Sequence, residues 1–565
     1  MDDAKLIEDV VNGSSPARFD DPKYKAARER AEQRAQDPAY AAGFVEKYGL
    51  TDLLHMPEEA RIEAGNYKTS PDADISFVAN MVSHASQTWS EEESKKKSEE
   101  VSGWVNGVGK FGRASELNAV LQVEGMKYGN DFLVSLADRM EDINWTPEWD
   151  TGGMGAKQVT GKTLEGYSTD PLLGVLTAMK SNPDAALNYF ASKGRVDANG
   201  NWAPSDETKK RWEKLSTRRW GDEGENAFTA AQAAASGFRN LSPEEVKGVK
   251  NADSRATWLA GRTIELYSSD KYSDNRLSDA SKKNLAMVLA NSPEEIDGIA
   301  SGSLNELAQG PKLSNDQFQI TKLLYRVLDN EDAAATLAAN MGEHHRTKID
   351  NDMEASESFP RDDRLSVLQN DYKRAAQTQS FLSELAKQHY ADNKELNEEK
   401  QKTVDTTASI FSAVAVGAAS IGSAGAASPV AAAVIPTVAG VVAEGAKPIA
   451  SAAAMTAIAD PTSPDEKATV PAQDILETQA YSDAAKRSLF DKEETNKSAT
   501  SNGIVLNDGQ ERLPINSKQT SKVQGWEQDV SVARDDSVRE TSESITTGMN
   551  DGVHHAQTYL PKDNR

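Results

Sequence analysis

The sequence predicts an all-α protein: an irregular multi-helix bundle or array, with a long helix leading into an Ala/Gly-rich apolar helical hairpin and a partly disordered C-terminal tail. Three observations predict it. From the start to about Ser409, apolar residues recur three and four positions apart, the spacing of one buried helix face. Aromatic residues make up only 6% of the chain, and the β-branched runs that mark strands are sparse. Gly, Pro and Asn breaks interrupt the periodic stretches at helix-length intervals.

Bulk properties bound what such a chain does. Its 565 residues, 38% of them hydrophobic, are enough for about two to four domains with real cores. The punctuation divides it into an N-terminal helical region (1–150) and a second region of helix-break-helix units (151–360). A long helix with the apolar hairpin follows (361–460), then a linker-like acidic tail with a small hairpin and a terminal helix (461–565). A net charge of -25 excludes nucleic acid as a partner, because phosphate contacts need clustered Lys and Arg. The absence of cysteine excludes disulfides, thiolate metal sites and a cysteine nucleophile. The amino terminus MDDAKLIEDVV has neither the basic region nor the apolar stretch of a Sec signal peptide, so synthesis in the cytoplasm and export by another route, or association with a membrane, are the expectations.

Helix starts are the clearest local signal. Asp37-Pro38-Ala39-Tyr40, Asn182-Pro183-Asp184-Ala185, Ser292-Pro293-Glu294-Glu295 and Asn330-Glu331-Asp332-Ala333 each read as an N-cap. A short polar side chain accepts from the first free N–H groups, proline suits the first helical position in three of them, and acidic residues favour the positive helix end. Apolar helix ends precede three of these phrases, at Leu172–Met179, Leu285–Leu289 and Leu323–Leu328. Irregular spacing of the units argues against a strict solenoid.

From Asp362 to Thr407 neither Pro nor Gly occurs, and Leu365, Leu368, Tyr372, Ala375, Leu382, Ala386 and His389 keep a near-heptad spacing. One long helix is expected, as a stalk or one arm of a coiled coil. Beyond Asp460, prolines and polar residues predict a linker, with a hairpin at Ile504–Leu506 followed by Asn507-Asp508-Gly509, and a helix over Val530–Tyr559.

Between Ala408 and Ala459 the only charges are Glu444 and Lys447. Pro429 and Pro436 punctuate this tract into helices at Thr403–Ala427 and Val430–Ala443, with a further apolar piece at Ile449–Ile458. Ile410, Phe411, Val414 and Ile421 supply apolar contacts, Ala418, Gly422 and Ala426 form a small-residue face, and Val430, Val434, Val438 and Val442 form a seam. The five strong apolar residues of the first helix, counting Val416, contribute about -2 kcal/mol on an insertion scale, and Gly, Ser and Pro largely offset that. Three destinations stay open: burial within the protein's own fold, contact with a membrane through 403–458, and an interface with a partner.

No constellation carries a reaction. Ala156-Lys157-Gln158-Val159-Thr160-Gly161-Lys162-Thr163 satisfies a permissive P-loop pattern but lacks the strand before it and the room for a helix after it. An enzyme built around residues 152–163 is therefore the minor alternative. Among seven histidines, His344-His345 and His554-His555 are adjacent pairs, which diverge on a helix, and no i, i+4 pair occurs. Asp197-Ala198-Asn199-Gly200-Asn201 begins like a calcium loop, yet Trp202 and Thr208 occupy its sixth and twelfth positions, so a polar turn is expected. No catalytic, cofactor or metal residue is assigned.

Several phrases in order carry a resemblance: Asp37-Pro38-Ala39-Tyr40-Ala41-Ala42-Gly43-Phe44, Tyr128-Gly129-Asn130-Asp131-Phe132-Leu133, Asp170-Pro171-Leu172-Leu173-Gly174-Val175-Leu176 and Ser181-Asn182-Pro183-Asp184-Ala185-Ala186-Leu187-Asn188-Tyr189-Phe190. Over about residues 20–460 the chain resembles a family of large, uncharacterised actinobacterial helical proteins associated with type VII (WXG-type) secretion. The small Trp-x-Gly hairpin module with which members often begin is missing, and Trp220-Gly221-Asp222 does not match it. The resemblance implies a secretion substrate or accessory without established catalytic residues, with a small WXG-type helical-hairpin partner supplying the module. Tyr559-Leu560-Pro561-Lys562-Asp563 fits the Tyr-x-x-x-acidic export signature, as do Tyr48–Asp52 and Tyr325–Asp329. A membrane-inserting toxin or pore component using the 403–443 hairpin is the alternative.

Overall fold

In the computed structural model the described residues are 2–15, 19–63, 72–106, 112–147, 164, 166–241, 246, 248–272, 276–304, 311–392, 471–506, 517–529 and 532–560. They are overwhelmingly α-helical, as the periodicity predicts. The chain forms two compact units, Met1–Leu259 and Ala260–Arg565.

The first unit contains α1 (Asp2–Val11), α2 (Pro22–Arg34), α3 (Pro38–Tyr48), α4 (Leu50–Glu63), α5 (Asp72–Ser86), α6 (Glu91–Val105), α7 (Gly112–Leu121) and α8 (Asn130–Met140). It continues with α9 (Leu173–Lys180), α10 (Pro183–Phe190), a β1 (Gly194–Val196) and β2 (Trp202–Pro204) antiparallel hairpin, α11 (Asp206–Thr217) and α12 (Asp222–Ser236). The hairpin was not legible as strands, because three residues on each side are too few to show a period. Its turn is the 197–201 phrase: Asp197 Oδ1 accepts from the N–H groups of Asn199 and Asn201, and Gly200 takes a positive φ. This is an Asx turn, the polar turn expected there.

The phrases that carry the resemblance are core fittings of this unit. Tyr128 donates its hydroxyl to the Val120 carbonyl at 2.8 Å, and the Gly129 N–H donates to Ser86 Oγ at 2.8 Å. Asn118 donates to the carbonyls of Ser168 and Asp170 and accepts from the Gly174 N–H. The buried Asp170 carboxylate caps Leu172 and pairs with Arg218 at 2.6 Å.

Helix starts divide into two kinds. Asp37 accepts from the N–H groups of Ala39 and Tyr40, and Asn330 from that of Ala333, as forward caps. Asn182 and Ser292 occupy the cap position, but their side chains turn back: Asn182 donates to the Ala178 carbonyl and Ser292 to that of Val288. In these tight breaks the last-turn carbonyls of the preceding helix lie within reach, and they win the side chain.

The second unit begins within α13 (Ala252–Ser268), at Ala260, and contains α14 (Asp279–Ala290), α15 (Pro293–Ala300), α16 (Gln317–Val327), α17 (Glu331–Ala355) and α18 (Arg361–Asp392). The chain returns with α19 (Ala472–Lys486), α20 (Glu493–Ser501), α21 (Ser517–Glu527) and α22 (Asp536–Tyr559). Two apolar clusters make up its core. One joins α13 to α17 with Phe381, Leu382, Leu385 and Ala386 of α18 and Ala556 of α22. The other joins Ile349 and Met353 of α17 and Leu365, Leu368 and Tyr372 of α18 to residues of α19 through α22.

The long helix differs from a stalk. All seven of its near-heptad residues are buried, and the helix runs through both clusters. Its partner is α22, lying parallel: Gln369 meets Thr541 at 3.2 Å, Gln377 meets Asp551 at 3.3 Å and Glu384 meets Gln557 at 3.0 Å. Two glycines set the spacing. A Cβ on Gly548 would lie 2.4 Å from the Lys373 carbonyl oxygen, and one on Gly552 would lie 2.1 Å from that of Gln377. The backbones therefore approach closer than any side chain permits, and Ala376 and Ser380 complete the small-residue seam.

After residue 470 the described chain is packed helix instead of a linker. From Ile475 to Ala485 every residue of α19 is buried. The terminal helix is present, while Ile504 and Leu506 are buried core residues outside any strand, and 507–509 lie outside the described residues. Polar composition concealed this because α19 buries Glu477, Gln479 and Asp483 through hydrogen bonds and charge pairs. Among the described residues, no helix is long and apolar enough to cross a membrane.

Gly552→Val forces the seam apart and lowers the stability of the second unit by about 1–3 kcal/mol or more, read as an earlier urea transition. Gly525→Ala, on an exposed helix position with open space around it, raises stability by about 0.5–1 kcal/mol in the same assay.

Candidate functional site: a carboxylate between two histidines

Within the second unit, Asp297, His344 and His345 bring their donor atoms within 4.8 Å of one another. The Ser292-Pro293 break starts α15, which is buried on all sides from Glu295 to Ala300, Asp297 included. The two histidines sit midway along α17, and α18 supplies Thr378.

His344 Nε2 lies 3.3 Å from Asp297 Oδ2, and His345 Nε2 lies 3.4 Å from Asp297 Oδ1. Neighbouring residues on a helix diverge by about 100°, which is why the sequence places these rings apart. An imidazole is long enough to lean back, however, and both rings reach the same carboxylate from either side, their centroids 5.5 Å apart. Thr378 donates its hydroxyl to Asp297 Oδ1 at 2.7 Å. Glu294, whose Oε1 is 3.9 Å from His344 Nε2, stands at the outer edge.

The charges sort unequally. Burial works to raise the Asp297 carboxyl, but His345, His344 and the Thr378 hydroxyl hold it below the usual carboxylate value. Burial also opposes charge on His344, yet its hydrogen-bonding and charge interactions with Asp297 outweigh that and raise its pKa. For His345 burial dominates and lowers the pKa, with Asp297 offsetting it only in part. The arrangement thus favours an imidazolium at His344 against the carboxylate and a neutral imidazole at His345. Two imidazole nitrogens and one carboxylate are a donor set that accepts a proton or a cation.

An acidic pair lies between the two long helices α17 and α18. Asp371 of α18 is buried near Asp352 of α17, with Lys348 bonded to Asp352 at 2.8 Å. Burial, then the Asp352 charge, push the Asp371 carboxyl up to about 7.

The residues singled out by sequence lie elsewhere. Ile410, Phe411, Val414, Ala418, Ile421, Gly422, Ala426, Val430, Val434, Val438 and Val442 are outside the described residues, as are 156–163 of the P-loop-like phrase. His554 is exposed, while His555 Nδ1 bonds the Ala300 carbonyl at 2.7 Å at the end of α15. Of the three export-type tyrosines, Tyr48 and Tyr325 are buried core residues. Tyr559 is half-buried at the end of α22, its ring stacked on His555.

A family model described as "Family of unknown function (DUF6571)" matches residues 1–560. The chain belongs to this family. The match spans both compact units of the DUF6571 chain as well as the apolar tract. No curated protein and no solved structure matches it.

The Asp371 pKa gives a pH dependence of known sign. Its folded pKa exceeds the unfolded value, so the folded state holds a proton that the unfolded state releases, and stability falls as pH rises from about 4 to about 7. Asp371→Asn is therefore more stable than the parent by about 1–2 kcal/mol at about pH 8. The advantage vanishes on approaching about pH 4, as urea melts at the two pH values report.

Proposed function

We propose that this DUF6571 protein is a non-enzymatic helical substrate or accessory of the type VII secretion pathway. Support comes above all from Tyr559. Two of the three Tyr-x-x-x-Asp matches bury their tyrosine in a core, where a receptor has no access, whereas Tyr559 ends a helix of 24 residues and stays half-exposed. On this reading the partner is a small helical-hairpin protein carrying a Trp-x-Gly turn. The acidic, cysteine-free chain suits passage between compartments, since no thiol responds to the change in redox conditions.

A second reading, insertion of the apolar tract into a membrane, is favoured by a different observation. Residues between Ile349 and Ala376 and between Ile475 and Ile545 contribute to one apolar cluster, so the described segments on either side of the tract share one core. A segment held at both ends by one folded unit suits a hairpin that enters a bilayer and returns on the same side.

One fractionation distinguishes the readings. The untagged protein is expressed in an actinobacterial host with and without an active type VII system, and medium, carbonate-washed membrane and cytosol are probed. Export predicts protein in the medium only with the active system, and loss of that fraction in Tyr559→Ala. Retention in the washed membrane supports insertion, and confinement to the cytosol in both hosts contradicts both readings.

A further inference from the structure

We propose that Asp297, His344 and His345 form a binding site for a divalent transition-metal cation of the zinc type. The inference stands apart from the export reading and rests on the geometry of three side chains from two helices.

The separations fit a cation better than a hydrogen bond. A charge-assisted N–H···O bond runs at about 2.7–2.9 Å, whereas the two histidine nitrogens stand 3.3 and 3.4 Å from the carboxylate oxygens. Bonds of about 2.0–2.1 Å from zinc to nitrogen or oxygen place tetrahedral neighbours about 3.3 Å apart. Each nitrogen matches this to its own carboxylate oxygen, while one donor atom from each of the three residues lies within 4.8 Å of the others, so binding draws the rings together. Both Nε2 atoms are buried, and each faces an Asp297 oxygen at a separation longer than a well-formed hydrogen bond. Two buried nitrogens held at such separations from one carboxylate are weakly satisfied, and a shared cation serves all three donors at once.

The surroundings resemble those of a metal site. Thr378, from a third helix, donates to the carboxylate oxygen nearer His345 and so fixes its orientation, as outer partners of metal ligands do. The side chain of His345 is 5% exposed and that of His344 is 17% exposed, so the site is closed on one side and reachable on the other. Glu294 stands on the reachable side, where it or a water completes the coordination. Two imidazoles with one carboxylate select zinc and its transition-metal neighbours over magnesium and calcium, which take oxygen ligands. Because α15 and α17 carry the ligands and α18 the supporting hydroxyl, a bound cation ties together three helices.

The test titrates EDTA-treated full-length protein with cobalt, read by visible absorption, and with zinc, read by calorimetry and thermal melting. The expected result is one cation per chain, an intense cobalt band displaced by zinc, and a higher melting temperature with metal. Asp297→Asn and His345→Gln each weaken binding at least about tenfold, and Thr378→Val weakens it by about tenfold. His554→Gln, exposed in the other histidine pair, leaves it unchanged. Should the buried His345→Gln variant not fold, His344→Gln at the accessible edge gives the same expected loss. Absence of stoichiometric cobalt or zinc binding by the parent, or binding that persists in both Asp297→Asn and His344→Gln, overturns the proposal.

Discussion

The second unit depends on one close approach, the parallel contact of α18 with α22. Gly548 and Gly552 leave no room for a side chain between the two backbones. That fixes both separation and register, because small residues only mesh at one offset. Each helix then takes part in both apolar clusters, α18 through Leu368 and Phe381 and α22 through Ile545 and Ala556. The pair is thus the shared wall of two cores. It also explains why a segment far along the chain, after the apolar tract, is required to complete a fold begun before it.

Electrostatics reinforce the same union. Arg346 of α17 and Tyr372 of α18 converge on the buried Asp483 of α19, at 3.0 and 2.8 Å. A carboxylate so deeply buried is tolerable only with such partners, and Arg487 of the same helix adds a second guanidinium at 3.2 Å. His344, His345 and Arg346 are consecutive, yet the first two address α15 and the third addresses α19. A helix turns by about 100° per residue, so three adjacent side chains of α17 serve two different neighbours.

Much of the fold was legible in residue type and spacing. The Asp37 and Asn330 caps, the Asx turn at Asp197 and the buried stripe of α18 follow from local chemistry. The packed character of α19 was hidden because its polar residues are satisfied by distant partners that a local reading does not see. The Gly548-x-x-x-Gly552-x-x-x-Ala556 seam was readable by the same small-residue logic applied to Ala418, Gly422 and Ala426, but nothing local named α18 as its partner. The histidine site escaped for a related reason: Asp297 is far from His344 in sequence, and adjacency on a helix argues for divergence until a groove-side carboxylate draws both rings together.

The parallel register of α18 and α22 is open to a direct measurement, since a chain without cysteine permits clean engineered cross-links. Paired cysteines at Gln377 with Asp551, and at Glu384 with Gln557, should form disulfides on mild oxidation of the folded protein. The crossed pairs, Gln377 with Gln557 and Glu384 with Asp551, should stay reduced. Cross-linking of the crossed pairs, with the matched pairs silent, would mean that the helices run antiparallel and that the shared wall described here does not exist.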